Sequence, residues 1–286
     1  MNTLLVGFDS AWTAANQGAV VGVIRNDNGG FQTLGLPFVA NFDAAERAIE
    51  AWQAEHIIER TIVLIDQPTI VREATGQRPV ENIVASPVSR RFGGMQPANT
   101  GRRGMFDEGA PIWPFLDRFG GPADILSRSR HTEIFETYPV LTIIARGWIL
   151  PDERRISGRL PKYNPVRRAT FSTDDWAYLC GKLSGFFRDC EVVAIADWLD
   201  SIQSMKMPLK ADQDRLDACL CLLVAMELAE GKNCLVVGEQ TTGYIVTSAS
   251  ELIVSELIQR CIQTERDPAK WIHSLTLQNG ISVCSV

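Results

Sequence analysis

Histidine is scarce in this chain: His56, His131 and His273 are the whole complement, and they lie far apart. That scarcity argues against a zinc centre of the usual His/Cys kind. Cysteine is present but unpaired in pattern. Cys219 and Cys221 lie two apart on an expected helix and so point to different faces. Cys180, Cys190, Cys234, Cys261 and Cys284 are scattered through apolar runs. This reads as free, mostly buried thiols, as in a reducing cytoplasm, and not as a disulfide framework. No apolar run approaches the roughly 18 residues of a membrane span. The opening MNTLL lacks the basic stretch and cleavage site of a secretory leader. No GxxxxGK followed by Ser or Thr occurs, so a P-loop is excluded, and no GxSxG elbow or Ser–His motif is found. Positive charge is not in excess either. The formal net charge is −6, which weighs against a large nucleic-acid surface.

What is present is a chain of 286 residues that is 45% hydrophobic, enough for a sizeable core. Residues 3–9 read as a buried strand. GAVVGVIRN follows as a second strand, NDNGG as a hairpin turn and FQTLGLPFV as a third strand. Residues 41–60 carry helical periodicity, with Asn41 or Asp43 as cap. TIVLIDQP is β-branched and uninterrupted, like a strand covered on both faces. Residues 69–130 are rich in Gly, Pro and Arg and read as a long irregular insertion. HTEIFETYP reads as a short fifth strand and LTIIARGWIL as a helix. STDDWAYLCGKLSGFFRD is a helix with a capping start at Ser172, and EVVAIADWLD is a short strand or helix. DQDRLDACLCLLVAMELAEG is a long apolar helix, and NCLVVGE and GYIVTS are late strands. Residues 249–286 read as an added helix and hairpin, with an Asn279–Gly280 turn. This hairpin could extend a sheet in a homodimer or serve as an edge within one chain. The order predicts an α/β domain over 1–248: a mixed sheet of three antiparallel strands followed by parallel ones, with helices on both faces, as in RNase H-like folds.

The acids carry the chemistry. Asp9 ends the first strand and Asp66 the fourth. As neighbours in a mixed sheet, both carboxylates would emerge at the sheet end where ligands of open α/β sheets bind. Each alone reads more simply as a turn cap; the pair says more than either member. Asp214 and Asp217 open the apolar helix three residues apart and share a face. Asp214 suits an N-cap, but Asp217 heads a stretch that should be buried, and a buried carboxylate needs a partner. Glu136, in IFETYP, is a further candidate. Asp9, Asp66, Glu136, Asp214 and Asp217 together would make an oxygen-rich site of the kind Mg²⁺ or Mn²⁺ prefers. Two such ions about 4 Å apart can activate water and stabilise the leaving oxygen in phosphodiester hydrolysis.

Two basic stretches accompany the acids. One runs over 72–103 and contains Arg72, Arg78, Arg90, Arg91, Arg102 and Arg103. The other runs over 146–168 and contains Arg146, Arg154, Arg155, Arg159, Lys162, Arg167 and Arg168. They could serve a phosphate backbone, a nucleotide or local ion pairs. Trp12, Trp113, Trp148 and Trp198 lie beside expected loops and could stack on bases, although packing is the commoner use of each.

These residues resemble a family, the domain-of-unknown-function 429 family, described as predicted nucleases of the RNase H-like superfamily. The matching marks, over roughly residues 3–248, are VGFDSAW, IDQPTIVREATGQRPVE, GGMQPANTGR, IFETYP, KYNPVRR, DRLDACLCLLVA and GEQTTGYIVTS, in that order. The resemblance implies catalytic acids at Asp9, Asp66, Glu136 and Asp217, with Asp214 beside them. It also implies further site candidates in QRPVE, at Arg78 and Glu81.

The expectation is therefore a metal-dependent nuclease or phosphodiesterase. Arg78, Arg159, Lys162 or Arg168 would hold a phosphate, and the partner would be a nucleic acid or nucleotide. A different reading is a non-catalytic RNase H-like scaffold that binds a nucleotide, a small phosphate or a protein; the net acidity motivates it. A kinase or ATPase of the actin-like class is the weakest reading, because glycine-rich phosphate loops and a second copy of the sheet are not evident.

Overall fold

A computed structural model describes residues 2–126, 131–278 and 281–285. The chain opens with β1 (Thr3–Asp9), β2 (Gly18–Arg25), β3 (Phe31–Thr33), β4 (Phe38–Ala40), α1 (Phe42–Glu55) and β5 (Arg60–Ile65). Then come α2 (Pro79–Ser89), α3 (Ile112–Arg118), β6 (Thr132–Glu136), α4 (Pro139–Ala145), α5 (Thr173–Asp189), α6 (Val193–Gln203) and α7 (Lys210–Ala229). The chain closes with β7 (Cys234–Glu239), β8 (Gly243–Ser248), α8 (Glu251–Gln263), α9 (Pro268–Trp271), β9 (Ile272–Gln278) and β10 (Ile281–Ser285).

The first sheet is six-stranded and mixed, in the order β3-β2-β1-β5-β6, with β4 also on β2. β1 and β2 are antiparallel, whereas β1, β5 and β6 run parallel. This is the expected α/β arrangement and is consistent with an RNase H-like architecture. The expected third strand is broken in two. Gly35, with φ of 117°, turns the chain so that β3 pairs with one end of β2 and β4 with the other.

Side-chain alternation divides the core between the two faces. Leu4, Val6, Phe8, Val63 and Ile65 pack with Ala45, Ile49 and Trp52 of α1 and Phe115 of α3. Leu5, Ile62 and Leu64 pack on the other face against α7, α2 and α4. Gly7 lies on this second face. A Cβ there would stand 2.1 Å from the Ala218 carbonyl oxygen and 2.4 Å from the Leu222 amide nitrogen. Glycine at this position lets α7 rest directly on β1. As its composition predicts, α7 is buried from Leu216 to Leu228.

The 69–130 stretch is less irregular than its composition suggests, because it contains α2 and α3. Pro79 occupies the first helical position of α2, where a missing N–H costs nothing. Val80, Ile83, Val84 and Val88 then present a helical stripe to the core. TGQRP before them and RRFGG after them mask that stripe in the sequence. LTIIA and VAIADWLDSIQ are helical, in α4 and α6. Ser172 caps α5 by accepting from the Asp175 N–H.

A second sheet has the order β10-β9-β7-β8 and touches the first through a Thr137–Val246 bridge. The described residues after β8 join this sheet and its surroundings: β9 pairs with β7, α8 packs on α2, and Glu256 of α8 pairs with Arg91 just beyond the end of α2. The Asn279–Gly280 turn lies outside the described residues. Among those described, no helix is long and apolar enough to cross a membrane.

Candidate functional site

β1 and β5 pair in parallel up to Phe8 and Ile65, so Asp9 and Asp66 follow at matching positions on adjacent strands. The Asp66 amide donates to the Phe8 carbonyl at 2.9 Å and locks that match. Alternation puts both carboxylates on the α7 side of the sheet. α7 meets them with Lys210, Gln213, Asp214 and Asp217, spaced i, i+3, i+4 and i+7 on one face. All six residues line one pocket of about 460 Å³. The close seat of α7 on Gly7 brings this face to the strand ends.

The electrostatics of the pocket are unbalanced. Asp9 is buried and Asp66 partly so. Among the described residues, no side chain or backbone N–H donates a hydrogen bond to either carboxylate. Burial, then Asp217, then the neighbouring strand-end acid push the Asp9 carboxyl well above the usual range. For Asp66 the causes are burial, then Asp217, then Glu136. Asp217 is better supported. It accepts from the Tyr163 hydroxyl at 2.8 Å and from Gln213 Nε2 at 2.9 Å. Burial nevertheless raises it to about 6, against the opposing pull of Lys210 and these two donors. Lys210 is the cation in the pocket. Burial would lower its ammonium, but Asp9 and Asp217 outweigh that and hold it above its ordinary value. Its Nζ forms an ion pair with Asp214. Asp214 is therefore not the helix cap; the helix begins four residues earlier, at Lys210.

The other acid at the sheet end is spent on structure. Glu136 pairs in register with Ile65, one position short of Asp66, so it is out of phase with Asp9 and Asp66. Its Oε2 accepts from Arg78 Nη1 at 2.8 Å and from the Thr69 amide at 3.2 Å, and Arg78 Nη2 donates to its Oε1 at 2.5 Å. Arg78 Nε donates to Glu81 Oε1 at 2.8 Å, and Glu81 also accepts from the Arg78 and Ala98 amides. All three side chains are buried. The guanidinium is committed on each nitrogen, so Arg78 is not open to a phosphate. Glu136 and Glu81 are likewise engaged within the protein.

The second basic stretch separates into cations held in ion pairs and, among the described residues, cations without one, of which Lys162 Nζ donates to the Phe92 carbonyl at 3.3 Å. Arg146 pairs with Glu227, Arg154 with Asp152 and Arg159 with Asp175. Arg159 therefore braces α5 and does not face the acids. Lys162 lines a second pocket with Asp66 and Asp217, beside Tyr163, Asn164 and Arg167. Burial, then Arg159 and Arg167, lower its ammonium. Arg167 also lines a third pocket, with Asp66 and Glu136. Arg168, one residue on, faces away into a separate groove. Of Trp12, Trp113, Trp148 and Trp198, Trp12 reaches the acids. Its indole N–H donates to the Asp66 carbonyl at 2.9 Å, and it sits at φ of 61°, a left-handed conformation unusual for a bulky residue.

Lys210, Gln213, Tyr163 and Arg167 are thus site residues the sequence reading did not single out. The i, i+3, i+4, i+7 spacing back from Asp217 would have found the first two. The donor chemistry suits an oxygen-preferring divalent cation, since two carboxylates here have no protein donor. Among the described residues, however, no three His, Cys, Asp or Glu side chains are grouped as they stand to hold a metal ion. Asp9, Asp66 and Asp217 share the lining of one pocket without forming such a group.

A family model described as "Protein of unknown function (DUF429)" matches residues 7–242. No curated protein and no solved structure matches the chain.

Proposed function

The chain belongs to that family of proteins of unknown function, and on that premise we propose that it is a metal-dependent phosphodiester hydrolase acting on a nucleic acid or nucleotide. One observation carries the reading: Asp9 and Asp66, side by side at the ends of parallel strands, have carboxyls raised well above their usual range, with no donor among the described residues to relieve them. Acids kept in that state at a sheet end are poised for a cation. Asp9 and Asp66 would hold Mg²⁺ or Mn²⁺, with Asp217 lining the same pocket. Such an ion, when bound, would supply positive charge to a phosphate and lower the pKa of water. Tyr163 and Gln213 fix the orientation of Asp217. Trp12 fixes the Asp66 backbone. Lys162 and Arg167, on the same pocket wall as Asp66 and Asp217, would bind the phosphate oxygens.

The test is hydrolysis of DNA, RNA and hybrid substrates by the purified chain with Mg²⁺ or Mn²⁺, beside Asp9→Asn. The expected result is cleavage that falls about 100-fold or more in the variant, the scale of losing a key charge-stabilising group. Equal rates for wild type and variant would overturn the reading. The scaffold reading has one observation in its favour, namely that Lys210 already supplies a positive charge among these acids. It predicts no saturable Mg²⁺ or Mn²⁺ binding in calorimetry, and none to lose in Asp66→Asn.

A further inference from the structure

Beside the acid pocket runs a groove of about 510 Å³ between residues 165–171 and 206–210. Its apolar lining includes Phe171, Met207 and Leu209, the last two being 86% and 68% exposed. Its charged lining is Arg168, Lys206 and Lys210, with no acid. Lys210 lines both this groove and the acid pocket. Arg167 and Arg168 straddle the ridge between them, one facing the acids and the other the groove.

An exposed apolar strip edged only by cations is unusual on a chain of net charge −6. Its chemistry matches a ligand that is apolar on its faces and anionic along its edge. Unpaired nucleobases on a phosphate backbone have that character. A duplex does not, because its base faces are stacked inside. We propose that this groove binds the bases of single-stranded nucleic acid, so that the strand's next phosphate reaches Lys162, Arg167 and the acids. The assignment rests on the hydrolase reading for the direction of the strand. It stands on the groove's own composition for the binding.

The experiment is fluorescence anisotropy with the full chain in EDTA, so that no hydrolysis is needed. The probes are labelled oligothymidylate, oligouridylate, a matched duplex and vesicles of mixed phosphatidylserine and phosphatidylcholine. Single strands are expected to bind about 10-fold or more tightly than duplex, because only unpaired bases can lay their faces on the apolar strip. Arg168→Ala with Lys206→Ala should reduce the slope of log affinity against log salt by about 1.4, the loss of two single-strand phosphate contacts. Met207→Asp, at an exposed site where folding is not at stake, should weaken single-strand binding several-fold. Lys182→Glu, a distant exposed charge on α5, should leave it unchanged. Duplex binding as tight as single strand, wild-type affinity in both groove variants, or capture of vesicles in place of oligonucleotides would overturn the assignment. If single strands bind but nothing is cleaved with metal, only the hydrolase reading falls. If duplex is cleaved as fast as single strand, only the groove assignment falls.

Discussion

Glu81 and Glu136 take their hydrogen bonds from Arg78 and from backbone amides. Asp9 and Asp66, at the ends of the neighbouring strands, take none from the described residues. Glu136 closes a strand of the same sheet as Asp9 and Asp66, and Glu81 joins it from α2 through Arg78. One group is matched by a guanidinium held on three sides. The other is pushed well above the carboxylate range by burial and by its own members. Glu81 is raised too, by burial that Arg78 and the Ala98 amide only partly offset. The difference is therefore in compensation, not in burial. A buried acid with its own donors holds the fold together. One without them is kept at a cost to stability, and that cost needs a functional reason.

The largest effect should come from breaking the compensated group. Arg78→Met would leave Glu81 and Glu136 buried without their cation. Removing one partner of such a network costs roughly 3–5 kcal/mol. Chemical denaturation measures it, and a loss below about 1 kcal/mol would mean that the two groups do not differ as argued. A smaller effect of opposite sign is expected in the uncompensated group. Asp66→Asn removes a repelling charge from a crowded, buried carboxyl and should stabilise the metal-free protein, read as a higher midpoint of chemical denaturation in EDTA. The pH dependence carries the same sign. With Asp9, Asp66 and Asp217 raised, the folded chain binds more protons than the unfolded chain above pH about 4. Metal-free stability should therefore fall as pH rises from there through about 6, the Asp217 value, and Asp66→Asn should flatten the fall. Melting temperature against pH in EDTA reads both. An unchanged or steeper slope in the variant would show that Asp66 is not under strain.

The comparison was half legible in the sequence. Asp9 and Asp66 announce themselves because each closes an uninterrupted apolar strand, and strand ends are local. Asp217 announces itself as a charge entering a helix that is apolar beyond it. Glu136 looks the same as Asp9 in sequence, an acid at a strand end. Its different fate depends on register with β5 and on Arg78, 58 positions away in the chain, and neither is local. The family resemblance at QRPVE offers Arg78 to the site, and only the folded α2 shows its guanidinium buried and paired. Lys210 was visible all along at helical spacing from Asp217. It lies two residues ahead of the helix start that DQDRLDACL suggests, and the observed helix begins on it. Arg167 and Arg168 are equivalent as letters, and only the loop's path assigns one to the acids and the other to the groove.

Asp217 is the intermediate case and gives the finest test. It is buried like Asp9, yet it has two donors, and burial raises it to about 6 against their opposing pull. If compensation is what separates the two groups, removing one donor should move Asp217 toward Asp9. Tyr163→Phe deletes the 2.8 Å hydrogen bond and little else, since the ring stays in the core. A hydrogen bond to the ionised form lowers a carboxyl pKa, so its loss should raise that of Asp217. A net contribution of about 0.5–1.5 kcal/mol corresponds to a rise of up to about one unit. Carbon-detected NMR titration of the Asp217 carboxyl would follow it directly. A midpoint that stays in place would show that burial alone sets Asp217, and that hydrogen-bond donors are not what distinguishes the structural acids from those at the site.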